Sequence, residues 1–333
     1  MLFQPAIIAL LLAAAANVVI LFGAAPFAID VIRHWDIRSG SERQLLLERR
    51  TYLVSSLLTF VMVTQLLALL LFVFNADKMA PLFVGAMCAV GALRADAYGF
   101  PALIAQITVF FLAAMWLAIN HADTKSPDYP LVRTKYALLL GMSPGLLAAF
   151  ALQLKYFSGL KADVLTSCCS RLFSAEAQGL SSDLVALPPL QTMMAFFGVL
   201  LLAMTAAAYA ALRRRGGSAV ALASMAAFVA SVIGIVSFLS LYVYEHPHHH
   251  CPFCILKAEY HYQGYWLYVP LFAATAAGLG SGAVQRFSRV ASLQEIAPRV
   301  SARLSAVAAG GFALFAAVAC VLMLKSNLVL IGK

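Results

Sequence analysis

Between His246 and Cys254 the chain reads His-Pro-His-His-His-Cys-Pro-Phe-Cys, which holds four of its seven histidines and two of its six cysteines. Imidazole and thiolate are the side chains that take soft metal ions, and two thiols separated by two residues are spaced as a redox couple. Two chemistries therefore stand open. One is electron transfer through Cys251 and Cys254. The other is ligation of copper or zinc by His246, His248, His249, His250, Cys251 and Cys254, with Cys168 and Cys169 available to complete such a site. The spacing follows no standard zinc pattern, and four histidines over five positions cannot all reach one ion. Axial ligation of haem is a further use of the imidazoles. Covalent haem attachment is excluded, because Ile255 follows Cys254 where a histidine is needed.

Pro252 suits the first turn of a helix, where its missing N–H costs nothing. Cys251 is then expected to be an N-cap, with Cys254 one turn on and on the same face. Unpaired N–H groups at a helix start would stabilise a thiolate at Cys251, and protonated His249 or His250 would add to that. A stabilised thiolate both attacks disulfides and leaves from them readily.

The elements that must hold these residues are membrane helices. Apolar residues make up 63% of the 333 and charged ones 11%, with a mean hydropathy of +0.89, too little polar surface for a water-facing globule. The expected architecture is an all-α, polytopic transmembrane helix bundle forming a single integral membrane domain. Its spans fall at about 6–29, 52–74, 100–119, 136–157, 191–212, 219–244, 262–284 and 304–324. The first lacks the basic flank of a cleaved signal peptide and is long enough to span, so it is kept as a helix. Residues 81–93 make a helix of about 20 Å, short of a hydrocarbon core of about 30 Å, and are read as re-entrant. Ser143-Pro144-Gly145 is expected to kink the fourth span.

The net charge of +9 does not point to nucleic acid, because the basic residues sit in short clusters between apolar spans. Arg33 to Arg50, Lys125 to Lys135, Arg213 to Arg215 and Arg286 to Arg303 fall on one side if the short helix does not cross. The remaining basic residues are thinly spread. The positive-inside rule then places both termini, and every cysteine, at the extracytoplasmic face of a cell membrane, here a bacterial inner membrane. That compartment is oxidising, so thiols there pair or bind metal.

Helix 6 followed by Cys-Pro-Phe-Cys-Ile-Leu-Lys resembles the loop-to-helix junction of the DsbB family of quinone-coupled thiol oxidases, over residues 230–275. The resemblance implies a redox role for Cys251 and Cys254 and a quinone acceptor near Lys257. The position of Cys168-Cys169 earlier in the chain is more similar to the order in the vitamin K epoxide reductase family. Adjacent cysteines and eight spans depart from both families.

The first functional expectation is an extracytoplasmic thiol–disulfide oxidoreductase. In it Cys168 or Cys169 exchanges with a thiol protein, and Cys251–Cys254 passes electrons to a membrane acceptor. The second is a copper, zinc or haem assembly factor delivering to a receiving protein, and the third a structural subunit of a membrane complex. Transport is disfavoured, because no ionisable group is expected near the middle of a span. Cys88 is read as a buried cysteine able to meet an outer thiol, and Cys320 as packing. Arg94 and Asp96 are read as surface charges, and Trp266 with its neighbouring tyrosines as an interfacial belt or, equally, the floor of a quinone or haem pocket.

Overall fold

The structure is a computed structural model describing residues 4–161, 187–328 and 330. Cys168 and Cys169 lie outside the described residues. Among the described residues eight helices are long and apolar enough to cross a membrane and no strand occurs, as an all-α polytopic bundle requires. We label them with one short helix: α1 Pro5–His34, α2 Glu42–Met79, α3 Ala89–Arg94, α4 Gly99–Asp123, α5 Val132–Gly159, α6 Pro189–Arg213, α7 Gly217–Tyr244, α8 Gln263–Gln285 and α9 Ile296–Lys325.

The spans are apolar on nearly every side, yet each buries one stripe. In α1 the buried positions are Ile7, Leu10, Ala14, Asn17, Leu21, Ala24, Ala28 and Val31, alternating three and four residues apart, while Leu12, Val19 and Phe22 face outward. Proline inside α5 is accommodated by its neighbour. Pro144 has no N–H to give the Leu140 carbonyl, and the Ser143 hydroxyl donates to that carbonyl at 2.8 Å instead.

The chain divides into two compact units. The first comprises residues up to Asn75, Asp96–Lys161 and Ala283–Val300, and is built on α1, most of α2, α4 and α5. In it α1 and α4 both pack on α5. Each of the four helices gives one buried amide to a head-to-tail chain: Asn17 donates to Gln65 (3.1 Å), Gln65 to Gln106 (3.2 Å) and Gln106 to Gln153 (2.7 Å). Such bonds between membrane helices are worth about 0.6 kcal/mol on average. At one end of the unit Lys135 and Asp123 form a buried ion pair at 2.8 Å. The expected spans, 100–119 and 136–157, left both residues between them. They belong to the first turn of α5 and the last residue of α4, and Asp123 Oδ1 also accepts the Leu131 N–H.

The second unit comprises Ala76–Ala95, residues 162 to Gly282, and Ser301–Lys333, so it holds α3, α6, α7, most of α8 and most of α9. Phe196 of α6 meets Phe238 of α7 edge-on at 5.3 Å and Phe315 of α9 at 5.9 Å in its core. Glycines let α7 and α8 approach closely. A Cβ on Gly282 would lie 2.5 Å from the Ala221 Cβ and 3.0 Å from the Gly217 carbonyl oxygen.

Two expectations about local structure are corrected. The 13-residue re-entrant helix at 81–93 is not formed, since only Ala89–Arg94 is α-helical. A 3₁₀ turn at Ala80–Leu82 ends α2, and Gly85 at φ +87° turns the chain before Cys88. Nor does Cys251 cap a helix. Residues 251–253 form a turn, a 3₁₀ segment follows at Cys254–Leu256, and α8 starts only at Gln263. Three such residues cannot sum a helix dipole, so no helix start stabilises a Cys251 thiolate.

Candidate functional site

The site is a hairpin hung between α7 and α8, closed by a residue from far upstream. Cys88, Cys251 and Cys254 bring their Sγ atoms within 4.8 Å of one another, and all three are buried. Cys88 Sγ lies 3.5 Å from Cys251 Sγ, in contact rather than bonded. All three residues belong to the second unit.

Local structure explains how the thiols converge. The hairpin opens at Glu245 (φ +51°) and closes at His261 (φ +53°) and Tyr262 (φ +55°), three residues in the left-handed region without being glycine. Each costs on the order of 1–3 kcal/mol, and such strain gathers at functional sites because surrounding contacts must enforce it. Those contacts are visible. The Glu245 carboxylate accepts the Asn327 backbone N–H at 2.8 Å and its side-chain amide at 3.1 Å, which holds the carboxyl below its ordinary range. Tyrosines from both flanking helices grip the turn, Tyr244 donating to the Cys251 carbonyl and Tyr268 to the Pro252 carbonyl at 2.7 Å. At the start of α8, Gly264 fits where a Cβ would come within 2.8 Å of Leu256 and 2.9 Å of Ile255. The first turn of α8 can therefore close over the 3₁₀ segment that carries Cys254.

Cys88 reaches the hairpin from the other direction. It stands extended immediately before α3, and its carbonyl accepts the Gly91 N–H at 2.9 Å. Sequence reasoning did not include it among the site residues, although it placed Cys88 on the same side as Cys251 and Cys254. That shared side was the available signal, while a contact across 163 positions has no local one.

The histidines are not gathered with the sulfurs. Among the described residues the three-ligand cluster contains no imidazole, so the expected His–Cys set is replaced by three cysteines. His246 and His248 are exposed, and His246 Nδ1 accepts the His248 backbone N–H at 3.3 Å. His249 stacks on Tyr244 with ring centroids 4.0 Å apart. His250 is buried and serves the fold. A carbonyl only accepts, so the 2.9 Å contact with Val236 requires a proton on Nδ1. Its partner lies in the π-helical turn Ile235–Leu239 of α7, a local widening often found beside functional sites. Burial pushes the His250 ring below its ordinary pKa, against the opposite pull of the Val236 carbonyl.

Around the sulfurs lie phenols and a few charges. Tyr244 and Tyr260 meet edge-on at 4.6 Å. Burial, together with the neighbouring Cys254 and Glu259, pushes the Tyr260 phenol above its ordinary value. Lys257 is half-buried and lies within electrostatic reach of Asp77, in the last turn of α2, which also lies near the Ala89 amide. Asp77 was not singled out from sequence. Cys320 does not pack as expected, being exposed on α9; Trp266, Tyr262 and Tyr265 are exposed, while Tyr260 and Tyr268 of the same group are half-buried. Compared with protein families, curated proteins and solved structures, the chain matched none.

Proposed function

We propose that this integral membrane protein binds a soft metal ion, copper(I) or zinc, through Cys88, Cys251 and Cys254 at its extracytoplasmic side. The observation that carries this reading is the convergence of three buried sulfurs within 4.8 Å of one another. A redox couple needs only two. Three thiolates about 2.3 Å from a common centre form the donor set that soft ions prefer. Each thiol that ligates gives up its proton, so a copper(I) ion taken by all three leaves a dianionic centre and releases three protons. Lys257, three residues beyond Cys254, supplies nearby positive charge. The extracytoplasmic placement rests on the basic clusters that flank the other ends of the spans. The receiving partner is then a metal-binding protein of that compartment.

Thiol–disulfide exchange is the second reading, favoured by the 3.5 Å contact between Cys88 and Cys251. Two thiols would close to a disulfide with loss of two protons and two electrons, the electrons going to a membrane acceptor such as a quinone near Lys257. Cys168 or Cys169 would exchange with the protein partner, as in the resemblance to the DsbB and vitamin K epoxide reductase families. It ranks second because Cys88 and Cys251 are fully covered, whereas a partner thiolate must reach a sulfur in line.

Metal analysis of full-length protein purified without oxygen separates the two. The expected result is about one copper or zinc ion per chain, with affinity reduced at least tenfold in Cys88→Ser and in Cys251→Ser. Loss of even an outer-shell partner costs about 10–100-fold. His246→Ala and His248→Ala should keep the ion. Metal-free protein whose Cys251, probed by alkylation after denaturation, switches between thiol and disulfide with added quinone would overturn the metal reading in favour of the redox one.

A further inference from the structure

The first unit holds a cavity of about 490 Å³ that the thiol site does not use, walled by Trp35, Glu48, Thr51, Tyr52, Asn120 and Lys135 among others. We propose that it binds the headgroup of a membrane phospholipid whose phosphodiester carries a hydrogen-bond donor, ethanolamine or glycerol.

The polar groups on its wall point to that chemistry. Lys135 is 1% exposed, and its ammonium is ion-paired with Asp123 Oδ2 at 2.8 Å and donates a hydrogen to Asn120 Oδ1 at 3.0 Å. An ammonium has three, so one is left for a ligand. Thr51 is 4% exposed, and its hydroxyl makes no hydrogen bond among the described residues, although it lies close enough to the Tyr136 hydroxyl to influence it. A buried hydroxyl and a buried ammonium hydrogen facing one cavity are donors for an anionic oxygen, and leaving them unmet is costly. Toward the start of α2 the wall changes sign. Glu48 accepts from Gln44 through one oxygen at 2.8 Å, which leaves the other for a donor. The sequence of needs, an anionic oxygen and then a donor nearer the helix start, is that of a phosphate followed by an ethanolamine or glycerol head.

Position agrees with this. The helix ends around the cavity carry the basic clusters at Arg33–Arg50 and Lys125–Arg133, where anionic headgroups concentrate. On the outward side of α2, Tyr52, Leu53, Leu57 and Phe60 are exposed, giving acyl chains an apolar surface to lie on. Asp123 neutralises Lys135, so the wall selects by hydrogen bonding rather than by net charge. Phosphatidylcholine, whose head has no donor, is then the discriminating control.

The test is native mass spectrometry of the full-length protein titrated with phosphatidylethanolamine, phosphatidylglycerol or phosphatidylcholine of the same acyl chains. Ethanolamine or glycerol lipid, or both, should bind about tenfold more tightly than the choline lipid, the amount one hydrogen bond to a charged group supplies. Which of the two binds identifies the source of the head. Glu48→Gln should erase that preference, and Thr51→Val should weaken all three lipids. Replacing Lys135 would strand Asp123 in the interior and risk the fold, so half-buried Glu48 carries the decisive variant. Equal binding of the three lipids, a preference unchanged in Glu48→Gln, or binding of all three undiminished in Thr51→Val, overturns the proposal.

Discussion

His250 shows how a single residue can be written into a site and turn out to support it instead. Its ring is buried, it donates from Nδ1 to Val236, and burial holds its pKa below the ordinary 6.5. The sign of the consequence follows by linkage. Above pH 6.5 the ring is neutral in both folded and unfolded chains and contributes no pH dependence. As pH falls below 6.5 the unfolded chain takes a proton that the folded one refuses, so the hairpin loses stability until the lower folded value is reached. Metal-free protein should therefore show a lower thermal midpoint at pH 5.5 than at pH 7.5, and His250→Asn should flatten that slope. An unchanged slope would place the titrating group elsewhere. From the sequence, all four neighbouring histidines were candidate ligands. Burial separates them, and burial is a property of what α7 presents, not of the hairpin itself.

At the scale of the element, the close approach of α7 and α8 sets the two helices from which the hairpin hangs. Gly278 and Gly282 permit it, since a Cβ on either would meet α7 at 2.6 Å or less. Gly282→Ala should cost roughly 1–3 kcal/mol by overpacking, read as a lowered unfolding midpoint in detergent. Gly23→Ala, where a Cβ would meet nothing within 4 Å, should cost nothing comparable. The existence and approximate extent of the eight spans were legible because each is a long apolar run. Their inward faces were not. In a bilayer the lipid-facing side is as apolar as the core, so Leu12 and Val19 of α1 look no different in sequence from Leu10 and Leu21. The ends were blurred for a related reason. Polar residues such as Glu42 and Lys78 continue the helical hydrogen bonding past the hydrocarbon, so α2 runs to 38 residues where the apolar run suggested 23.

For the whole molecule the charge asymmetry makes a prediction of its own. An impermeant maleimide added to intact cells should label a cysteine placed at Ser326 but not one placed at Ser39, within the arginine-rich loop. The reverse pattern would put the thiol site on the cytosolic side and remove the extracytoplasmic reading. The residues themselves determine that this chain is a multi-pass helical membrane protein, because burying apolar side chains in lipid dominates every other term along the chain. They also mark Cys251 and Cys254 as chemically unusual. Only the tertiary structure brought Cys88 to them, left the histidines outside, and withheld the helix start that Pro252 suggested. A span is fixed by local hydrophobicity, whereas a ligand set is fixed by which distant backbone arrives beside it. Packing alone decides that.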